Sequence, residues 1–250
     1  MSKNAIVLVI FLLGTNTIVF CQSEFGIKGG INNSSFYSYF SKTDYESDYK
    51  SFYNYTFSIF YKEQIKETQF FGFELENKAL KSTMELYYNA GHASFYHNVT
   101  YDLNMIIFYF VYEKSLFSNG KIDFRINISP YLGYMIKSYA KGTGWNYEYV
   151  SDIDTNGNNI SYLIVKNWHK DEKNTNDLNK FNIGARLGLN LILPLSERLS
   201  FFVNNTYCFG INNILKIEDA RYTGLRSIEL KIGLHYYFDD KTLKIWNRKE

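Results

Sequence analysis

The chain has little proline, only two cysteines and almost no excess of charge of either sign. Only 2 of its 250 residues are proline and 16 are glycine, which excludes collagen-like and proline-rich structures. Lysine and arginine number 27 against 25 acidic residues, and this net charge of +2 indicates no nucleic-acid partner. In contrast, 21 phenylalanines and 23 tyrosines contribute to a 46% hydrophobic share, which excludes wholesale disorder. The composition predicts an aromatic-rich β protein.

Long hydrophobic runs are also missing beyond the N-terminal segment. The mean hydropathy of −0.28 excludes a bundle of transmembrane helices. The most apolar run, Ala5–Leu13, follows Lys3 and is about as long as a signal-peptide core, well short of the ~20 residues of a spanning helix. We therefore predict export, with a signal peptide of residues 1–21 cleaved after Cys21. The alternative is a lipoprotein acylated on Cys21, which usually has a small residue where Phe20 stands.

The remaining chain is predicted to form one domain, residues 22–238, followed by a periplasmic tail, residues 239–250. It keeps a single cysteine, Cys208, so no internal disulfide is expected. From Glu24 onward apolar residues recur at every second position, which is the pattern of strands. We count eight such strands and no convincing helix. The segment Asp102–Tyr112 is apolar on both faces, so its alternation leaves the inward face open.

The connections between these strands alternate in length. Two of the long ones contain alternating segments that flank glycine-containing turns, which predicts that strands continue into them. Short turns at one end and long loops at the other, over an even strand count, are typical of an eight-stranded antiparallel transmembrane (outer-membrane) β-barrel with short periplasmic turns and long extracellular loops. The short connections are 63–68, 113–121 and 194–198; the long ones are 34–50, 81–100, 137–180 and 212–224.

The polar faces of the strands bear on which side meets lipid. On the fifth, sixth and seventh predicted strands they carry mainly glycine, serine, asparagine and threonine, with a single arginine on two of them, whereas a water-exposed sheet usually carries dense lysine and glutamate. Such residues suit the narrow lumen of an eight-stranded barrel. A soluble, lipocalin-like barrel is the alternative, but the first strand has no Gly-x-Trp and no helix follows the last strand. The charged residues predicted to pair in the lumen are Lys28, Lys62, Glu74, Glu76, Arg125, Arg186, Glu229 and Lys231.

Four motifs along the chain share the pattern of one protein family. They are Phe25–Asn32, Ile128–Tyr134, Phe181–Leu195 and the closing strand Ser227–Phe238. Together they resemble the small porin-family, PorT-like outer-membrane β-barrel proteins of the Bacteroidetes. The resemblance implies an outer-membrane location and a last strand, ending at Phe238, that the barrel assembly machinery reads. The chain departs from the family at Asn104–Ile107, where an Ile-Pro pair is usual, and in the twelve residues after Phe238.

The sequence indicates no catalytic, cofactor or metal centre. His92 and His97 lie in one predicted loop, but without cysteine or a close carboxylate pair they are far weaker than a zinc signature. Glu74 and Glu76 share a strand face, yet a filled lumen leaves no substrate cleft, so we expect them to pair with arginine. No Ser-His-Asp order, phosphate-binding loop or Gly-x-Ser-x-Gly motif appears. We predict neither enzyme activity nor a bound cofactor.

The predicted loops are rich in tyrosine and tryptophan, a composition typical of adaptable binding surfaces. The same residues would stabilise extended hairpins by cross-strand pairing, and both interpretations stay open. The loop residues predicted for a binding surface are Tyr45, Tyr49, Trp145, Tyr147 and Trp168.

These patterns predict a non-enzymatic barrel with an occluded lumen, embedded among outer-membrane lipids. It would act as a membrane anchor or as a surface interaction protein through its extracellular loops. The PorT-like resemblance implies an alternative: a component of a secretion or envelope-assembly machine, with an envelope protein as partner. A narrow channel for small solutes is the third hypothesis, which the mixed charges of the lumen oppose.

Overall fold

The described part of the chain is built almost entirely from antiparallel strands. The computed structural model describes residues 23–40, 45–89, 94–153, 159–173, 176, 178–215 and 220–238. The predicted signal peptide and the predicted tail lie outside these residues. The strands are β1 (Ser23–Phe40), β2 (Tyr45–Lys66), β3 (Gln69–Tyr88), β4 (Phe95–Ser118), β5 (Asp123–Ile153), β6 (Asn159–Lys173), β7 (Phe181–Pro194), β8 (Leu199–Gly210) and β9 (Ala220–Tyr237).

Eight of these strands close into a ring, which confirms the predicted barrel. Around the ring, hydrogen-bonded neighbours follow the order β1, β2, β3, β4, β5, β7, β8 and β9. The ring closes because β9 also pairs with β1. Paired residues followed once around the ring start at Ser23 and return to β1 at Asn33, ten residues higher. Such a stagger over eight strands tilts them by about 40° from the barrel axis.

The two ends of the barrel differ in the way that the sequence predicted. Tight turns join β2 to β3, β4 to β5 and β7 to β8; Gly120, with φ of 78°, allows the second of them. We call this the turn end. At the opposite end the strands continue far beyond the ring. The strand extensions predicted within 81–100 and 137–180 are present and are longer than expected, whereas the prediction of a loop over 34–50 was wrong for most of its length, because β1 runs to Phe40 and β2 begins at Tyr45. Aromatic and polar residues still pair across strands there, which keeps the chain extended.

The ninth strand, β6, arises from this extension. It pairs with β5 from Tyr139↔Lys173 to Ile153↔Asn159 and, within the described residues, with no other strand. β7 pairs with β5 only as far as Tyr134. Farther from the turn end, β6 pairs with β5 instead. We refer to the β5–β6 segment 139–173 as the tall hairpin.

Alternation assigns one face of each strand to the lumen and the other to the outside. On β7, the outward-facing Leu187 and Leu189 are 46% and 44% exposed, whereas the inward-facing Arg186 is 1% exposed. The structure also decides the register of β4 that the sequence left open. Met105, Ile107 and Tyr109 point inward and are buried, whereas Ile106 and Phe108 face outward.

Candidate functional site

The outer wall of the ring carries a continuous apolar band. Along β7 the outward side chains from Ile183 to Leu193 are all apolar, and ten residues at this tilt span about 25 Å of the axis, the height of the hydrocarbon-facing band of outer-membrane barrels. Exposed aromatic residues border the band at both edges, as interface girdles do. They are Phe25, Tyr61, Phe71, Tyr236 and Phe238 toward the turn end, and Tyr53, Tyr55, Tyr134 and Phe181 at the opposite edge.

The lumen holds the charges. All eight residues that the sequence assigned to it are buried inside the ring, and four further ones join them: Glu24, Lys78, Glu113 and Asp123. The described lumen thus contains six cations and six carboxylates, so its net charge is zero. The sequence analysis did not assign these four residues, although each lies an even number of positions from another lumen-facing residue of its own strand, so the alternation could have identified them.

The upper of two charge clusters is centred on Glu74 of β3. Arg186 donates to both oxygens of this carboxylate, over 2.9 and 2.5 Å, and Lys28 donates to it over 2.9 Å. Lys231 links Glu76 and Glu229, each at 2.6 Å. The Arg186 guanidinium also lies 3.7 Å from the centre of the Tyr109 ring. The whole cluster comprises Lys28, Lys78, Arg186, Lys231, Glu74, Glu76 and Glu229.

The lower cluster, near the turn end, is organised by Arg125 of β5. Its guanidinium contacts three carboxylates: Glu24 at 2.9 Å, Asp123 at 2.6 Å and Glu113 at 3.0 Å. Lys62 is the second cation and lies 2.8 Å from Glu113 and 3.3 Å from Glu24. Two cations therefore serve three carboxylates here, whereas four cations serve three in the upper cluster.

Inward glycines make room for these long side chains. A Cβ on Gly72 would lie 2.0 Å from the Tyr61 carbonyl oxygen and 2.6 Å from the Lys62 Cα. At Gly30 the same atom would lie 2.0 Å from the Leu230 oxygen and 2.6 Å from the Lys231 Cα. A larger residue at either position would collide with backbone, which explains the glycines on the polar faces.

Above the charges the lumen is apolar, which corrects the expectation of a wholly small-polar and charged interior. The lumen-facing residues of β4 are large and apolar in this region, because it lies beyond the level at which the ion pairs fill the barrel. Hydrophobic side chains from other strands and from the segment after β8 meet them there. This apolar plug consists chiefly of Phe36, Leu80, Leu103, Met105, Met135, Ile214, Leu215 and Leu225.

Together the two layers close the barrel. A cavity among the charged residues, bordered by Lys28, Glu74 and Glu113, has a volume of about 20 Å³, which is room for about one water molecule. Leu80 and Met105, in the plug above it, are at most 1% exposed. The described lumen therefore offers no continuous path to a solute.

The five aromatic residues predicted for a binding surface do not form one site. Tyr49 and Trp168 pack against the apolar plug, and burial raises the pKa of the Tyr49 phenol. Tyr45 stacks with Tyr88 at 4.5 Å between ring centres. Trp145 and Tyr147 contact each other at 5.3 Å on the tall hairpin. Packing against the plug or against a ring of the neighbouring strand thus accounts for Tyr49, Trp168 and Tyr45, and the last pair stays half-buried at the surface.

Reactive side chains are few in the part of the chain that the structure describes. No group of three or more metal-ligating residues occurs among the described residues, and His92 lies outside them. The described residues likewise include no helix long and apolar enough to span a membrane. Cys208 is buried in the lumen, with its sulfur 3.3 Å from a Glu229 oxygen. Glu74 and Glu76 are both engaged in ion pairs rather than facing a cleft.

Comparison with known proteins assigns no family. No protein-family model and no curated protein sequence matches the chain. Among solved structures, Ail, the attachment invasion locus protein of Yersinia pestis, is 11% identical over 88% of this chain and 100% of its own, with a TM-score of 0.34. OprG from Pseudomonas aeruginosa is 12% identical over 86% and 96%, with a TM-score of 0.39. The outer membrane protease OmpT from Escherichia coli is 10% identical over 89% and 99%, with a TM-score of 0.35. These values establish no shared activity, and the PorT-like resemblance stays a prediction.

Proposed function

We propose that the protein is a non-enzymatic outer-membrane β-barrel that anchors a tall, rigid β-structure at the outer surface and acts there as an interaction protein. One observation carries the proposal: the polar and apolar faces of the barrel are reversed relative to those of a water-soluble barrel. Twelve charged residues are buried in the lumen, whereas aliphatic side chains such as Leu187 and Ile128 are almost half exposed on the outside. Only a hydrocarbon surrounding makes this distribution favourable, because each exposed apolar side chain would otherwise face water.

The sealed lumen argues against the channel hypothesis. Ion pairs fill the lower part and the apolar plug fills the upper part, so a solute would have to displace buried side chains from both. Separating a buried ion pair is costly in a low-dielectric interior. The barrel therefore serves as a support rather than a conduit.

The β-structure above the apolar band supplies the interaction surface. The tall hairpin runs for fourteen residue steps from Tyr139 to Ile153, about 45 Å of extended chain. Its far part is paired only within the hairpin, and it exposes both apolar and polar side chains, among them Val165 at 54% and Ser161. A rigid projection of this kind presents a surface without the entropy cost of ordering a flexible loop on binding.

Location and orientation can be tested together by labelling single cysteines in intact cells. Ser161, on the tall hairpin, and Glu197, in a turn, are both exposed, whereas the native Cys208 is buried. A membrane-impermeant maleimide should label Ser161→Cys in intact cells and Glu197→Cys only after lysis. Both proteins should sit in the outer-membrane fraction and change gel migration on heating, as folded barrels do.

The unsubstituted chain measures background labelling in this experiment. Recovery in the soluble fraction would refute the membrane assignment. Labelling of Glu197→Cys but not Ser161→Cys in intact cells would instead refute the orientation while leaving the barrel in the membrane.

The PorT-like resemblance supports a second proposal, a role within a secretion or envelope-assembly machine. Two of the motifs that carry it, Phe25–Asn32 and Ser227–Phe238, lie on β1 and β9, which pair with each other. We also propose that the barrel assembly machinery reads β9 together with Phe238, which directly follows it and donates its backbone N–H to the carbonyl oxygen of Ser23 over 3.0 Å.

Purification from the outer membrane in mild detergent separates the two roles. A component of a machine should elute with an envelope protein in a fixed ratio, whereas an independent surface protein should elute alone as a monomer. Deleting the far part of the tall hairpin provides the control, since it should abolish surface interactions but leave the barrel wall intact. Loss of a fixed-ratio complex in the deletion variant would assign the contact to the hairpin rather than to the wall.

A further inference from the structure

A groove crosses the outside of the wall just above the apolar band, over strands β2 to β5. It has a volume of about 300 Å³ and is separate from the lumen. Its lining combines two cations, one carboxylate, two hydroxyl-bearing side chains and a phenyl ring. These residues are Phe52, Lys81, Thr100, Asp102, Tyr139 and Lys141.

The register of the strands places this groove at the level of lipid headgroups. Lys81, Asp102 and Tyr139 lie side by side on three adjacent strands. On β4, Asp102 lies four residues before the outward-facing Ile106 of the apolar band, and this places it about 10 Å farther from the turn end along the barrel axis. The polar headgroup region borders the hydrocarbon at this distance.

The two lysines are spaced to hold one phosphate between them. Lys141 lies opposite Thr100 and two residues above the row of Lys81, so strand spacing and rise separate the two lysine backbones by about 12 Å. Each side chain reaches about half of that distance. The Lys81 ammonium lies 5.4 Å from the centre of the Phe52 ring, which positions it beside the groove wall.

The rest of the lining favours an amphiphile over a free ion. Phe52, at 37% exposure, and the ring of Tyr139 form apolar walls that a small soluble anion would not use. The Tyr139 hydroxyl donates to Asp171 over 2.7 Å, so this phenol is held with its ring along the wall. Asp102 stands between the lysines, so the six lining residues carry a net charge of +1, and Asp171 lies on β6 opposite Lys141. The groove therefore has little excess positive charge with which to hold a free ion.

We propose that this groove binds the phosphate group of a membrane lipid, with the lysines on the phosphate and the aromatic rings against the glycerol and the first acyl carbons. The proposal deepens the membrane location proposed above. Its test uses purified protein in detergent, so its outcome does not depend on where the protein lies in the cell.

Native mass spectrometry in a non-ionic detergent measures the lipid that the folded protein retains. We expect saturable retention of dioleoylphosphatidylglycerol and little retention of dioleoylglycerol, which lacks the phosphate. Lys81→Ala/Lys141→Ala should weaken phosphatidylglycerol binding about 30-fold, because each lysine near a membrane surface contributes about fivefold. Asp102→Asn should strengthen binding, since it removes the repulsive carboxylate.

The matched control is Lys114→Ala/Lys121→Ala, which removes the same charge from exposed positions at the turn end. It should bind phosphatidylglycerol as the unsubstituted chain does. Heat-modifiable migration verifies that each variant is folded. Equal binding by the Lys81/Lys141 variant, or a loss of binding in Asp102→Asn, would overturn the site. Competition by inorganic phosphate at lower concentration than the lipid would overturn the assignment to a lipid.

Discussion

Arg125→Leu is expected to lower the free energy of unfolding by about 5 kcal/mol, the upper end of the cost of breaking a buried ion pair. The reason is the stoichiometry of the lower cluster. Arg125 contacts Glu24, Glu113 and Asp123, and its loss leaves Lys62 as the cation that contacts Glu24 and Glu113. Uncompensated carboxylates would then remain in a closed lumen.

Equilibrium urea unfolding in lipid vesicles measures this effect. A loss of about 5 kcal/mol approaches the whole stability of many domains, so the heat-modifiable fraction after refolding serves as a second readout. The stability of Arg125→Lys should lie between those of the unsubstituted chain and Arg125→Leu. Lysine keeps the positive charge but lacks the planar guanidinium that contacts three carboxylates.

Arg226→Leu is the matched control for Arg125→Leu. It is the same substitution at an outward-facing, exposed position on β9. We expect it to change stability by no more than about 0.5 kcal/mol. If Arg125→Leu were as stable as Arg226→Leu, the lower cluster would not be a set of buried ion pairs.

Glu74→Leu is the second large effect, with an expected loss of about 4 kcal/mol. Glu74 is the carboxylate shared by Arg186 and Lys28, and the upper cluster already contains four cations for three carboxylates. Its removal leaves two buried cations to compete for Glu76 and Glu229. Arg186→Leu should cost less, about 3 kcal/mol, because Glu74 keeps Lys28 and the cluster becomes balanced at three against three.

A double-mutant cycle on Glu74→Leu and Arg186→Leu isolates the pair itself. The double variant removes both charges of a bidentate contact, so it should be more stable than the sum of the single losses implies. Urea unfolding in the same vesicles provides all four values. Additive losses would show that the two residues do not interact, and an Arg186→Leu protein as stable as the unsubstituted chain would refute the paired lumen.

The ring of strands and the two faces of each strand could be predicted from the sequence alone. A side-chain period of two is local, so Ile183, Leu187 and Leu189 mark one face of β7 without knowledge of any neighbour. The tight turns were predictable for the same reason, because glycine, proline and polar residues interrupt the alternation near Gly120 and Pro194.

The ends of the strands and the composition of the upper lumen were not predictable. Alternation weakens above the apolar band, where both faces meet protein or water instead of lipid, so the extensions of β1 and β2 within 34–50 were interpreted as a loop and the full length of the extensions of β3, β4 and β5 was not predicted. Glu113 was missed as a lumen charge because it lies in the predicted connection 113–121, which the structure shows to be largely strand. Sequence alone also left the apolar β4 without an inward face.

The sequence by itself determined the class of the fold, its strand count around the ring and the charged character of the lumen, because these depend on patterns within single strands. Only the tertiary structure decided which charges pair, that four cations meet three carboxylates above and two meet three below, and that an apolar plug seals the barrel. The same holds for the external groove, where Lys81 and Lys141 are 60 residues apart in the chain. Such groupings depend on the stagger of ten residues around the ring, which brings distant positions to the same height and which no single strand encodes.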